Sequence, residues 1–278
     1  MNKKQIVLRV KGGLGNQLFQ FNLGELISSR LGICVKYDIK TGYLNDGFNR
    51  SVCFFSIFKN SEQSIYRGYF NNLLNLRILK IASVRFKLGL FKWFYYNEDN
   101  NINTNNLFSI LKFNNKNIIL EGYWQNTELI DYKFISMLNA SLQKPFVNFT
   151  VNDLVIHYRS DNFANSFSFE YYDRALKFML LNFPHLKQVF IYSDSNKVLK
   201  LVDYLNQKND IPLKFDFNDY EPFTLLSTIS TSKYFIPSYG TFSLWALLLG
   251  KKRTILLPPS FDLNSFYKFK NVYIKSDK

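Results

Sequence analysis

The stretch Gln5-Ile6-Val7-Leu8-Arg9-Val10-Lys11-Gly12-Gly13-Leu14-Gly15-Asn16-Gln17-Leu18-Phe19-Gln20 decides the fold class. Residues 5–10 form an apolar run of strand length. The three glycines make a tight turn, and Phe19, Leu23, Ile27 and Leu31 then recur at helical spacing. Residues 33–37 supply a second strand. Strand, glycine turn, helix and strand in this order open a βαβ unit, whose strands are parallel and whose crossover is right-handed.

The same alternation runs along the rest of the chain. Ile118-Ile119-Leu120 reads as a strand and residues 127–142 as a helix. The segment Gln143–Phe149 contains Pro145, has no periodicity and marks a domain boundary. Beyond it, Leu154-Val155-Ile156 is a buried-strand run. Tyr172, Leu176, Met179, Leu180 and Phe183 mark a helix ended by Pro184. Strands at 189–192, 213–217, 233–237 and 254–257 alternate with helices at 196–205, 223–230 and 242–249. The expectation is two α/β domains with parallel sheets facing across a cleft, residues 1–145 and 146–278.

Composition bounds the partners. The chain has 278 residues, 47% of them apolar and 18% aromatic, enough to bury real cores. Its 35 Lys and Arg against 21 Asp and Glu leave a charge of +14, which calls for an anionic partner: nucleic acid, membrane lipid or a phosphorylated substrate. Two cysteines, Cys34 and Cys53, lack metal-ligand spacing, and two histidines exclude a multi-His zinc site. The first apolar stretch is too short for a secretory signal, and no run approaches membrane-spanning length. A soluble cytoplasmic protein is expected.

Residues 60–97 differ from the rest. Between Glu62 and Glu98 no acidic residue occurs, while Arg67, Arg77, Lys80, Arg85, Lys87 and Lys92 are interleaved with Leu, Ile, Phe, Tyr and Trp93. This is the composition of a basic helical insertion lying on an anionic membrane. A solvated basic face on an ordinary helical insertion is the plainer alternative, and nucleic acid the weakest.

Four stretches carry chemistry. Gly12-Gly13-Leu14-Gly15-Asn16 allows close backbone approach and offers a helix N-terminus to polar or anionic oxygens, or is simply a tight turn. It lacks the third glycine of a dinucleotide fingerprint and the Gly-Lys-Ser/Thr of a P-loop. His157-Tyr158-Arg159-Ser160-Asp161 leaves a strand at the sheet edge where α/β ligands bind, and the fork of Arg159 suits a diphosphate. An ion pair of Arg159 with Asp161 is the alternative. Asp194, after Ile191-Tyr192-Ser193, either caps the next helix or binds a ribose or base. Ser238-Tyr239-Gly240-Thr241-Phe242-Ser243 leads into a buried helix and presents hydroxyls and N–H groups suited to a phosphate.

Together, in this order and spacing, these blocks resemble the bacterial members of glycosyltransferase family 11, the α-1,2-fucosyltransferases. The family's G-G-L-G-N-Q-x-F-Q stands at Gly12–Gln20 and its L-x-G-Y-[WF]-Q at Leu120–Gln125. Its H-x-R-R-x-D-Y falls on His157–Phe163, followed by Tyr171-Tyr172. F-x-S-D matches Phe190–Asp194 loosely, and N-S-T-F-S-W-W-A-A-x-L falls on Tyr239–Leu249. The resemblance spans about residues 5–258. It departs from the family at Ser160, Asn162, Tyr239 and Gly240.

The resemblance implies a GT-B fold with two Rossmann-like domains, the first on the acceptor side. It implies an inverting, metal-independent transferase moving L-fucose from GDP-fucose to the 2-hydroxyl of a galactoside. Arg159 would hold the β-phosphate, His157 the nucleoside, and Ser238, Thr241, Phe242 and Ser243 the diphosphate side. Asn16, with Gly13 and Gly15, would line the catalytic cleft. Asp161 and Glu121 are the candidate general bases. No metal or other cofactor is expected. The acceptor would be a lipid-linked surface oligosaccharide, placing the enzyme at the inner face of the cytoplasmic membrane. A non-catalytic or altered-donor relative is the alternative, and a nucleic-acid partner is not expected.

Overall fold

The computed structural model describes residues 4–43, 50–53, 93–97, 104–159, 167–216, 220–250, 253–257 and 272–276. The chain divides into two compact units, Met1–Ser141 and Leu142–Lys278. Each is built on a parallel sheet.

The first unit runs β1 (Ile6–Arg9), α1 (Leu14–Leu31), β2 (Val35–Asp38), β3 (Trp93–Asn97), α2 (Thr104–Phe113), β4 (Asn117–Glu121) and α3 (Tyr132–Ser141). Its sheet order is β2-β1-β4-β3. Ile6 is in register with Val35 on one side and Ile118 on the other. Ile6, Leu8, Ile118 and Leu120 are fully buried, as expected of central strands covered on both faces.

Helix α1 is also sunk into this unit, and three of its buried residues are polar: Gln17, Gln20 and Asn22. Each must find partners inside. Gln20 accepts from the N–H of Lys11 at 3.1 Å, and its amide donates to the carbonyls of Lys11 and Gly122 at 3.2 and 2.9 Å. Gln17 donates to the carbonyls of Gly12 and Ser51 at 3.0 and 2.9 Å and accepts from the N–H of Cys53. The two glutamines of the opening motif are therefore cross-links. They fix the loops that follow β1 and β4.

Asn22 does the same elsewhere and corrects an expectation. Residues 127–142 are not one helix: a 3-10 turn at Thr127–Leu129 precedes α3, which starts at Tyr132. At the break, Asn22 donates to the carbonyl of Leu129 and accepts from the N–H of Asp131, both at 2.9 Å. The backbone there is bonded to a side chain of α1 instead of to its own next turn.

The basic stretch 60–97 is corrected at its end. Residues 54–92, where the helical insertion is expected, lie outside the described residues. Residues 93–97 are not helical but form edge strand β3, parallel to β4 from Trp93 beside Asn117 to Asn97 beside Glu121. The run Trp-Phe-Tyr-Tyr is strand-forming in its own right.

The second unit runs β5 (Asp153–Tyr158), α4 (Phe169–Asn182), β6 (Gln188–Ser193), α5 (Val198–Asn206), β7 (Leu213–Asp216), α6 (Pro222–Ser230), β8 (Tyr234–Ile236), α7 (Thr241–Leu248), β9 (Arg253–Leu257) and β10 (Val272–Ser276). The sheet order is β10-β9-β8-β5-β6-β7, parallel throughout. This is the doubly wound Rossmann order, with β5 and β8 side by side where the winding reverses. All six residues of β5 are buried. Leu154, Ile156, Leu176, Met179, Leu201 and Leu205 pack one continuous core between strands and helices. The proline-containing segment after α3 packs onto this unit, with Phe146 stacked on Tyr220 at 4.3 Å.

Among the described residues, no helix is long and apolar enough to cross a membrane. Replacing Gln20 by Leu should leave the Lys11 N–H and the Gly122 carbonyl without their buried partner. We expect a loss of about 2–3 kcal/mol, read as a lowered urea midpoint at unchanged slope.

Candidate functional site

In a doubly wound sheet, the loops leaving the two strands at the reversal point turn to opposite faces and open a crevice between them. In the second unit those strands are β5 and β8. β5 delivers His157 and Arg159, and β8 delivers Ser238-Tyr239-Gly240 and the start of α7. Asp194 follows the neighbouring strand β6. The sequence motifs separated by about eighty residues thus meet at one sheet edge.

His157 is buried and its Nδ1 is the focus of that edge. It lies 2.7 Å from Ser243 Oγ and 2.9 Å from Ser238 Oγ, and the two hydroxyls are 2.9 Å apart. The Ser238 N–H donates to Ser243 Oγ at 3.0 Å, closing the loop on itself. The Phe242 ring lies 5.1 Å from the imidazole. Burial, and then the nearby Arg159 charge, push the His157 pKa down to about 3. The ring is therefore neutral at physiological pH. Ser238 and Ser243, expected at the diphosphate, are both buried with their hydroxyls turned to His157.

Arg159 is placed differently. Its side chain is 28% exposed, and its Nε lies 3.8 Å from Oδ2 of Asp194, a carboxylate that is itself 52% exposed. Its Nη1 stands 2.9 Å from where a Cβ on Gly240 would sit. Gly240 is the N-cap residue of α7, so the guanidinium lies against the N-terminus of that helix. No acidic residue occupies the first turn of α7, and its N-cap residue, a glycine, has no side chain to cap it. Thr241 and Phe242, in that first turn, are half-buried. A guanidinium and the positive end of a helix dipole repel unless an anion joins them. The carboxylate of Asp194 supplies one such negative charge beside Arg159.

Asp194 does not cap the next helix. The N-cap position of α5 is Lys197, without a side-chain cap bond, and Asp194 pairs with Arg159 instead. Asp161, a candidate base and a candidate partner of Arg159, lies outside the described residues, as do Ser160 and Asn162.

The first unit brings a second set of groups to its own reversal point, between β1 and β4. Gly12 has φ +83°, and a Cβ there would stand 2.7 Å from Asn16 Nδ2 and 3.0 Å from Tyr123 Cε1. Gly13 is the N-cap residue of α1 and Gly15 is buried in its first turn. Asn16 Oδ1 accepts from Gln125 Nε2 at 2.9 Å. Tyr123 is exposed, with Lys11 Nζ 4.8 Å from its ring centre. Between Tyr123 and Gln125, the buried Trp124 has φ +54°, a left-handed conformation uncommon for a side chain of that size.

Glu121, the other candidate base, is engaged by two cations. Its carboxylate takes Arg9 Nη1 at 2.9 Å on one oxygen and Lys11 Nζ at 3.4 Å on the other. Each oxygen thus has one cationic partner, which ties it to the sheet edge. Among the described residues, no group of three or more His, Cys, Asp and Glu is placed to hold a metal ion. Gly240 and Tyr123 were not singled out as site residues by the sequence. Gly240 registered there only as a departure from a pattern, and Tyr123 only as one letter of a block.

No family model matches the sequence, and no curated protein is detectably similar to it in sequence. The fold, however, is that of the GT-B glycosyltransferases, with its paired Rossmann-like units. It is similar to NodZ alpha-1,6-fucosyltransferase co-crystallized with GDP, at 13% identity over 90% of this chain and 93% of that one, TM-score 0.51. It is similar to fucosyltransferase NodZ from Bradyrhizobium, at 15% identity over 90% and 94%, TM-score 0.50. It is also similar to a mutant of FUT1 from Arabidopsis thaliana in complex with GDP, at 12% identity over 93% and 72%, TM-score 0.53.

The depressed pKa of His157 has a defined effect on stability. The unfolded chain takes up a proton near pH 6.5, whereas the folded chain resists it until about pH 3. The stabilisation from a neutral, buried ring is therefore complete above pH 6.5 and lost as pH falls toward 3. Between pH 7 and pH 5 the drop should be about 2 kcal/mol smaller in a His157→Asn variant than in the natural protein. Urea midpoints at the two pH values measure it.

Proposed function

We propose that the protein is a glycosyltransferase using a nucleotide-diphosphate sugar, and that its reaction moves L-fucose from GDP-fucose to the 2-hydroxyl of a galactoside with inversion. The observation that carries this reading is the guanidinium of Arg159 against the N-terminus of α7 at the reversal point of the second sheet. The GT-B fold and the sequence resemblance support the donor class.

In a displacement at the anomeric carbon, negative charge grows on the departing diphosphate. Arg159 and the first-turn N–H groups of α7 would meet that charge with fixed donors, without requiring a metal. His157, neutral and buried, is a poor acid for the leaving group, and its part is to hold the Ser238–Ser243 loop that carries α7. Asp161 and Glu121 are the candidate bases, and the engagement of Glu121 by Arg9 and Lys11 favours Asp161. On the acceptor side, the amides of Asn16 and Gln125 and the exposed ring of Tyr123 offer hydrogen bonds and a flat apolar face to a pyranoside.

The acceptor is proposed to be a lipid-linked bacterial surface oligosaccharide, used at the inner face of the cytoplasmic membrane. The acid-free composition between Glu62 and Glu98 supports attraction to anionic lipid.

Mass spectrometry with a panel of GDP- and UDP-sugars and a galactose-terminated disaccharide tests the reaction. Transfer from GDP-fucose is expected, with activity unaffected by a chelator. Turnover with a UDP-sugar alone would overturn the donor, and saturable GDP binding without any transfer would favour a non-catalytic relative. Arg159→Ala should lower kcat/KM by on the order of 10²-fold or more. In flotation assays the protein should rise with vesicles containing anionic lipid and not with neutral ones. Reversing Arg77, Lys80 and Arg85 together to Glu should abolish that.

A further inference from the structure

The loop Ser238-Tyr239-Gly240 is held on both sides of its glycine. Ser238 is tied to His157 and to Ser243, and the carbonyl of Gly240 accepts the N–H of Leu244 at 3.2 Å within α7. Between these ties Gly240 adopts φ +134° and ψ 165°, a region open essentially to glycine alone. The volume a side chain would occupy there is filled by Arg159. Nη1 lies 2.9 Å and Cδ 4.0 Å from the ideal Cβ position, and among the described residues, the glycine's chain neighbours apart, no other atom comes within 4 Å.

Among the described residues beyond its chain neighbours, a methyl group at 240 thus meets the far end of one long side chain. Backbone cannot yield easily, but a guanidinium can swing away. The clash would be relieved by moving Arg159, and the fold would bear mainly the backbone strain. On the other side of Arg159 stands the exposed carboxylate of Asp194, 3.8 Å from Nε, toward which the displaced arginine would turn.

We propose that Gly240 is a positioning residue: its missing side chain is what lets Arg159 lie against the N-terminus of α7 and bind the diphosphate there. The inference rests on the diphosphate reading given above and adds a residue that acts through Arg159 without touching the ligand. It makes the pair interdependent. Gly240 matters to the ligand only while residue 159 is an arginine long enough to use the space.

A double-mutant cycle tests this. Binding of inorganic pyrophosphate and of GDP is measured by calorimetry for the natural protein, Gly240→Ala, Arg159→Ala and the double variant, with thermal unfolding recorded for each. Gly240→Ala is expected to weaken pyrophosphate binding about tenfold or more in the natural background and less than twofold in the Arg159→Ala background. Binding of guanosine, which lacks phosphate, should be unchanged by Gly240→Ala. Equal losses in both backgrounds, or no loss in either, would overturn the inference while leaving the functional reading intact. A natural protein that binds neither pyrophosphate nor GDP overturns both. If Gly240→Ala fails to fold, the double variant decides: folding restored by removing Arg159 supports the positioning role, and failure of both assigns the effect to backbone strain and sinks it.

Discussion

The imidazole of His157 stands on the last-but-one residue of a strand whose every residue is buried, and the need to satisfy that ring orders the edge of the second sheet. Nδ1 draws in two hydroxyls from a loop eighty residues further on, and one of those hydroxyls also takes the loop's own N–H. The result is a closed set of hydrogen bonds in a place water does not reach. Bonds of this kind count for most where the alternative is an unpaired buried group. They fix where α7 begins. Everything charged at the edge, Arg159 and Asp194 included, is arranged around that fixed helix end.

The first unit solves the same problem with amides. Gln17, Gln20 and Asn22 lie on a helix that is nearly surrounded, and their three side chains bond to backbone from four separate loop segments. Each amide both donates and accepts, so one side chain can tie two strands of chain together, which an apolar residue cannot do. The loops after β1 and β4 are consequently held from beneath. Asn16, Tyr123 and Gln125, proposed above to meet the acceptor, are carried at that end of the sheet.

The strands that lie centrally were legible in the sequence because parallel sheets bury both faces and their strands read as unbroken apolar runs, as at Leu154–Ile156. Two of the four edge strands were not. β10 at Val272–Ser276 and β3 at Trp93–Asn97 sit at sheet edges, and β3 was hidden inside a basic, aromatic stretch whose composition suggested a helix. Helix α2 follows an asparagine-rich run of poor helix formers. Its turns are secured by Leu107 and Leu111, both fully buried, which is a tertiary effect no local propensity reports. At the site, His157 and Arg159 were visible as residue types at a strand end. The partners were not, because Ser243, Asp194 and Gly240 are joined to them only by the fold. The ion pairs of Glu121 were hidden for the same reason: Arg9 reaches it from another strand and Lys11 from the loop that follows.

The nucleotide-sugar transfer proposed above places a particular demand on such an edge. The leaving diphosphate must be stabilised as charge develops, and a proton donor is one solution while fixed positive groups are another. A histidine whose pKa is pushed to about 3 cannot be the donor at neutral pH. Its neutrality instead spares Arg159 a second repelling charge beside the helix N-terminus. Were His157 protonated, three positive features would crowd one strand end, and the guanidinium would be driven toward Asp194 and away from α7. Burying the imidazole therefore does two things at once. It anchors the loop, and it keeps the local field one that a single anion can balance.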